Sequence, residues 1–204
     1  TDNKNGIAIV EDNFVLNGNG HTIDGKNQSR IFNITAKNVT INDLIIIKGN
    51  AEKGGAIYST GPLTLNNVTF ISNYASKNGG AVALYEDVTI NCNNSKFIDN
   101  YAGEGGSSIV VSKGKLNIYN SYFTSKIYAK AGQVMGSTDA RFYLENVTFA
   151  NTTATYSPAI YLVGSKIRII DSKFINLKAN LTAGAMSLRE GGELYIRNCE
   201  FINT

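Results

Sequence analysis

The chain has no tryptophan, one histidine, two prolines and two cysteines in 204 residues. A single histidine, His21, excludes a multi-histidine metal site and most histidine-dependent catalysis. Two cysteines, Cys92 and Cys199, are too few for a disulfide scaffold. Charged residues make up 17% of the chain, below the usual share of about a quarter. The net charge of +3 is modest and argues against a nucleic-acid partner. No apolar run approaches the roughly 18 residues that span a bilayer, so direct membrane insertion is not expected, and no secretory leader opens the chain. Thr1 is not a natural start and Thr204 follows a repeat unit without a stop signal, so the chain is expected to be an excised piece of something longer.

What is present is asparagine. There are 26, with 20 glycines and 16 threonines. All three are poor helix formers, which argues against long helices. Hydrophobic residues at 43% supply a real core for one domain of 22.0 kDa.

A repeat of about 26 residues organises the chain. Its anchors are Phe70, Phe97, Phe123, Phe149, Phe174 and Phe201, with Ile46 and Ile23 in the same role before them. Seven residues before each anchor stand Val39, Leu63, Ile90, Leu116, Phe142, Ile167 and Leu194, and five before stand Ile41, Leu65, Cys92, Ile118, Leu144, Ile169 and Ile196. Residues between these columns are mostly polar, the alternation of a strand with one buried face. Two before the anchor comes a third inward column: Leu44, Val68, Ser95, Ser121, Val147, Ser172 and Cys199.

Three before each anchor stands an Asx residue: Asp43, Asn67, Asn94, Asn120, Asn146, Asp171 and Asn198. An Asx at a fixed point of every repeat predicts a tight turn, because it tolerates left-handed backbone and bonds locally. Stacked amides can also bond from one repeat to the next. Ten or eleven residues after the anchor come Gly54-Gly55-Ala56, Gly79-Gly80-Ala81, Gly105-Gly106-Ser107, Ala159 and Gly184-Ala185, small residues that suit backbone packed close to a narrow interior.

The pattern predicts an all-β, right-handed parallel β-helix of about eight turns, with 1–204 as one domain, 1–31 its N-terminal turn and 32–204 its repeats. At roughly 4.8 Å per strand, seven intervals give a rod about 34 Å tall. An antiparallel sandwich does not require the same turn residue at the same offset in every repeat. Cys92 and Cys199 lie four turns apart, about 19 Å, beyond the roughly 7 Å a disulfide allows between Cα atoms. They are expected to be free, buried core fillers.

The segments GGAIYSTGPLTLNNVTFISN and GGAVALYEDVTINCNNSKFIDN, following the opening LNGNGHTIDG, resemble the adhesin-like proteins of methanogenic archaea. The Gly-Gly-Ala-Ile and Phe-x-x-Asn elements are also similar to the repeats of chlamydial polymorphic outer-membrane proteins. The likeness covers nearly all of residues 14–204. It weakens from Phe123, where Phe-x-x-Asn becomes Phe123 to Lys126 and Phe149 to Thr152. It implies a pectate-lyase-like β-helix in a large secreted cell-surface protein that serves adhesion, its partner a host or neighbouring cell surface. The fold is shared with polysaccharide lyases and hydrolases, so catalysis has to be searched for directly.

Glycoside hydrolysis needs two carboxylates about 5–9.5 Å apart. Asp87 and Asp139 share a column but are two turns apart with Lys113 between them, and Asp43 and Asp171 belong to the turn ladder. No acidic cluster suggests a metal site. His21 aligns with Leu44 and Val68 in an inward column and reads as a packed histidine bonded to backbone. No catalytic residue, cofactor or metal is therefore assigned. The functional expectation is a non-catalytic adhesin module, with a polysaccharide lyase or hydrolase, or a ligand-free stalk, as the alternatives.

Eight residues before the anchors stand Lys115, Arg141 and Lys166 on consecutive turns, with Arg168, Arg197, Tyr119, Tyr143 and Tyr195 near them. Like charges on adjacent strands repel unless neutralised. An anionic glycan lying along the rod would neutralise them, and the tyrosines would stack on its sugar rings. The candidate ligand-binding set is Lys115, Arg141, Lys166, Arg168, Tyr143 and Tyr195. The competing expectation is a solvated face neutralised in part by Glu145 and Glu193. A second outward column, Tyr74, Tyr101 and Tyr128, reads as an aromatic ladder at a turn. Asn-x-Ser/Thr occurs at Asn27, Asn33, Asn38, Asn67, Asn93, Asn146, Asn151 and Asn180. Asn67 and Asn146 are expected to be buried in the ladder and closed to a glycan, while others could carry one in a secreted glycoprotein.

Overall fold

The computed structural model describes residues 5–137, 139–182 and 184–204. Every regular element among them is a strand, and the strands pair in parallel with their counterparts one repeat away. Three sheets run the length of the molecule. The first stacks eight strands from Ile7–Ile9 to Met186–Arg189, and the second stacks eight from Val15–Asn17 to Glu193–Arg197. The third runs from Thr22–Asp24 to Glu200–Ile202, and a short fourth sheet joins Asn50–Lys53, Tyr74–Asn78 and Tyr101–Ala102. The chain is thus the expected all-β parallel β-helix, a solenoid of about 7 turns of roughly 26 residues.

The register is the one the anchors predict. Ile23 pairs with Ile46, Ile46 with Phe70, and Phe70 with Phe97. The phenylalanines continue the column through Phe123, Phe149, Phe174 and Phe201. Their rings stack along the axis with centroids 4.5–5.4 Å apart. This spacing follows from the strand repeat, because each ring sits on the same point of successive parallel strands. The inward leucines and isoleucines complete one continuous core. At the last turn Leu194, Ile196 and Phe201 are part-exposed.

The seven Asx residues form the expected corner. Asp43, Asn67, Asn94, Asn120, Asn146, Asp171 and Asn198 all take left-handed backbone, with φ between 50° and 54°. Their side chains are exposed, which corrects the expectation that Asn67 and Asn146 are buried. A corner residue in this conformation carries its Cβ on the convex side of the bend, away from the core. The amides do stack: Asn67 donates to Asp43 Oδ1, and Asn146 to Asn120 Oδ1, each at 2.8 Å. A second left-handed corner lies two residues past the anchor, at Lys48, Ser72, Asp99, Asn151, Asn176 and Asn203. The anchor strands of Ile46, Phe70, Phe97, Phe149, Phe174 and Phe201 are therefore held between two left-handed bends.

Phe-x-x-Asn acquires a physical meaning. Asn73 and Asn100 are both 1% exposed. Asn73 Nδ2 donates to Ile46 O, and Asn100 Nδ2 to Phe70 O, in each case the anchor carbonyl one turn earlier. The buried amides thus satisfy carbonyls freed where the chain bends. Inward serines behave likewise: Ser95 Oγ accepts from Val68 N and donates to Asn93 O. At the Gly-Gly corner, Gly54 and Gly79 have φ of +61° and +67°, and a Cβ on Gly55 would strike the Tyr74 carbonyl.

Two single residues differ from expectation. His21 is exposed rather than packed; among the described residues the strands of its turn pair only with those of the following turn. Cys92 and Cys199 are both free, as expected, but only Cys92 is buried. Cys199 belongs to the part-covered last turn.

Candidate functional site

The outward face of the second sheet changes character along the rod while its inward columns do not. In the early turns it is neutral and self-satisfied. Asn42 donates to Asn17 Oδ1, Asn66 to Asn42, and Asn93 to Asn66, each at 2.8 Å. On the strands Lys115–Tyr119, Arg141–Glu145, Lys166–Ile170 and Glu193–Arg197 the face becomes basic and aromatic, chiefly in the two columns beside that ladder, which follow Thr89 and Asn91. Strand pairing sets Lys115 beside Arg141, Arg141 beside Lys166, and Lys166 beside Glu193. It also sets Tyr143 beside Arg168, and Arg168 beside Tyr195. All six candidate ligand-binding residues therefore share one face.

Their environments then diverge. Lys166 is neutralised by Glu193 through an ion pair with both side chains exposed, the kind worth little to stability. Tyr143 donates to the Glu145 carboxylate at 2.8 Å, and this bond holds the tyrosine hydroxyl above its ordinary pKa. The Arg168 guanidinium lies over the Tyr195 ring, 4.4 Å from its centroid, a cation–π contact. Among the described residues Lys115, Arg141 and Arg168 have no carboxylate within ion-pair distance. The expected partial neutralisation by Glu193 thus occurs at Lys166, whereas Glu145 takes a tyrosine.

Arg141 forms a wall common to two shallow grooves. One, of about 440 Å³, is lined by Asp87, Lys113, Lys115, Asp139 and Arg141. The other, of about 290 Å³, is lined by Arg141, Lys166, Arg168, Glu193 and Tyr195. Asp87, Lys113 and Asp139, one column in the sequence, are thus brought together in space. Among the described residues no group of three histidine, cysteine, aspartate or glutamate side chains could hold a metal ion. No helix among them is long and apolar enough to cross a membrane.

The tyrosine ladder has two rungs rather than three. Tyr74 and Tyr101 pair in register and stack at 5.5 Å. Tyr128 lies five rather than four residues past its anchor, and its hydroxyl bonds Thr155 and Asn180 instead. One cluster escaped sequence reasoning. Arg30 lies 5.1 Å from the Tyr58 centroid, Tyr58 stacks on Tyr85 at 6.0 Å, and Lys53 lies 4.3 Å from the Tyr85 centroid. Arg30 also donates to the carbonyls of Gly54 and Lys53, and burial lowers its pKa. Each ring thus has a cation beside it, and the Arg30 bonds tie this cluster to the Gly-Gly corner. Lys53 and Tyr58 lie on two different strands and Arg30 and Tyr85 outside any strand, with no common offset that a column would show.

Fold and face define the chain as a parallel β-solenoid with a basic, aromatic strip on the outward face of its second sheet. No family model, curated protein or solved structure matches it.

Proposed function

We propose that this β-solenoid is a non-catalytic module of a secreted, cell-surface adhesin, and that it binds anionic glycan on a host or neighbouring cell. The observation that carries the reading is the switch on one face: inward columns keep their leucines, isoleucines and phenylalanines, while the outward column of Thr89 passes to Lys115 and Arg141 and that of Asn91 and Asn117 passes to Tyr143, Arg168 and Tyr195. Folding does not require that switch. Adjacent like charges oppose it by about 1 kcal/mol per close pair in water. A carboxylated or sulfated polysaccharide along the rod would relieve the repulsion, and Arg141 stands where its chain would cross between the two grooves. The resemblance of the repeats to archaeal adhesin-like proteins and chlamydial surface proteins supports the surface location.

The test is a glycan array with acidic polysaccharides, read at low and high salt. Binding is expected to fall steeply with salt and to be lost in the joint Lys115→Ala, Arg141→Ala, Arg168→Ala variant. Unchanged binding in that variant would remove the strip as the site. Release of reducing or unsaturated sugars from the same polysaccharides would replace the adhesin reading with an enzyme, and Asp87 and Asp139 would then be the residues to test.

A further inference from the structure

We infer that the groove beside the Tyr74–Tyr101 pair is a second saccharide site, selective for neutral sugar rings. It has a volume of about 370 Å³, within the usual range for ligand pockets. It lies against the short fourth sheet, whereas the basic strip lies on the second.

The argument starts from the register. Tyr74 pairs with Tyr101 on the following turn and with Asn50 on the preceding one. Because the two rings stack along the axis, Tyr101 covers one face of Tyr74. The opposite face looks toward Asn50, which supplies no ring. Asn50 Nδ2 is instead turned to the backbone carbonyl of Asn27 at 2.9 Å. Tyr74 is left 40% exposed, with an aromatic face open beside a line of small polar groups.

Those groups have unused capacity. Among the described residues no hydrogen bond engages the side-chain amide of Asn27, the Oδ1 of Asn50 or the hydroxyl of Ser72, all of which line the groove. Asp99 accepts the Lys126 N–H on Oδ1 at 2.7 Å and keeps its second oxygen. Sugar hydroxyls both donate and accept, so a wall of amides, a hydroxyl and a carboxylate beside an aromatic face matches them. The buried amide of Asn73 is committed to the core and fixes the backbone immediately before Tyr74. The platform is therefore pre-organised, which lowers the cost of ordering on binding.

Charge decides the ligand class. The described lining residues include one carboxylate, Asp99, and no lysine or arginine. An anionic glycan would meet Asp99 without a counter-charge. A neutral oligosaccharide meets no such penalty, and its apolar ring face covers Tyr74.

The experiment is isothermal titration of the intact chain with neutral hexaoses of glucose, mannose, xylose and N-acetylglucosamine. At least one is expected to bind with a Kd of about 1 mM or tighter, with the same affinity at low and high salt. Tyr74→Ala is expected to weaken binding about ten-fold or more, whereas Tyr74→Phe, which keeps the ring, retains it at an unchanged melting temperature. Absence of binding by all four hexaoses, binding unaffected by Tyr74→Ala, or binding abolished by salt would overturn the proposal. Because salt abolishes binding at the basic strip and not here, failure of either site leaves the other's result legible.

Discussion

Asn73 Nδ2 lies 3.0 Å from Asn100 Oδ1, one turn further along the solenoid, and both residues are 1% exposed. The same oxygen also accepts the backbone N–H of Asn73 at 3.0 Å, while Asn100 Nδ2 serves the Phe70 carbonyl. Asn100→Ala therefore strands two donors and one acceptor inside the rod. It should cost about 2–4 kcal/mol, read as a lower urea midpoint at unchanged slope. A loss below about 0.5 kcal/mol would mean that water replaces the amide.

The phenylalanine column predicts a gradient. Phe97 is fully buried between Phe70 and Phe123, whereas Phe201 is 44% exposed. Phe97→Ala should destabilise by about 3–5 kcal/mol, as large-to-small core changes do. Phe201→Ala should cost roughly 1 kcal/mol, because much of its ring is already in water. Equal losses at the two positions would contradict the packing described.

At the outer corner, backbone and side chain can be separated. Asn120 has φ of 50° and accepts the Asn146 amide on an exposed surface. Asn120→Gly and Asn120→Ala both remove that bond, but only alanine resists the left-handed conformation, by about 1 kcal/mol. Glycine should be the less destabilising of the two by that amount in matched urea titrations. If alanine were the better tolerated, side-chain bonding rather than conformation would govern the ladder.

Cys92 has a thiol pushed up to about 12 by burial. The unfolded chain ionises it near its ordinary value of 9.0, so its contribution to stability is fully present below that pH. It is lost as pH rises toward the folded value, by about 2 kcal/mol at roughly pH 10.5. Cys92→Val should flatten that alkaline decline. In the native state a thiol reagent should titrate one cysteine, Cys199, and in denaturant both. Rapid native labelling of two thiols would show that the core opens readily.

The sequence determined the register of this protein by itself. In a parallel solenoid each inward position repeats with the period of a turn, so the columns headed by Val39, Ile41 and Ile46 and the Asx corner from Asp43 to Asn198 were legible as spacing alone. The candidate strip was legible for the same reason, since Lys115, Arg141 and Lys166 occupy one column. Tertiary structure alone decided the chemistry of the outward side chains, which have rotamer freedom that periodicity does not fix. It gave Lys166 to Glu193 and Arg168 to the ring of Tyr195, and among the described residues it left Lys115 and Arg141 with no carboxylate at ion-pair distance. It also turned Asn73 and Asn100 into the core and Asn67 and Asn146 out to solvent. That difference in depth depends on which side of a bend the Cβ occupies, a property of the folded backbone rather than of asparagine.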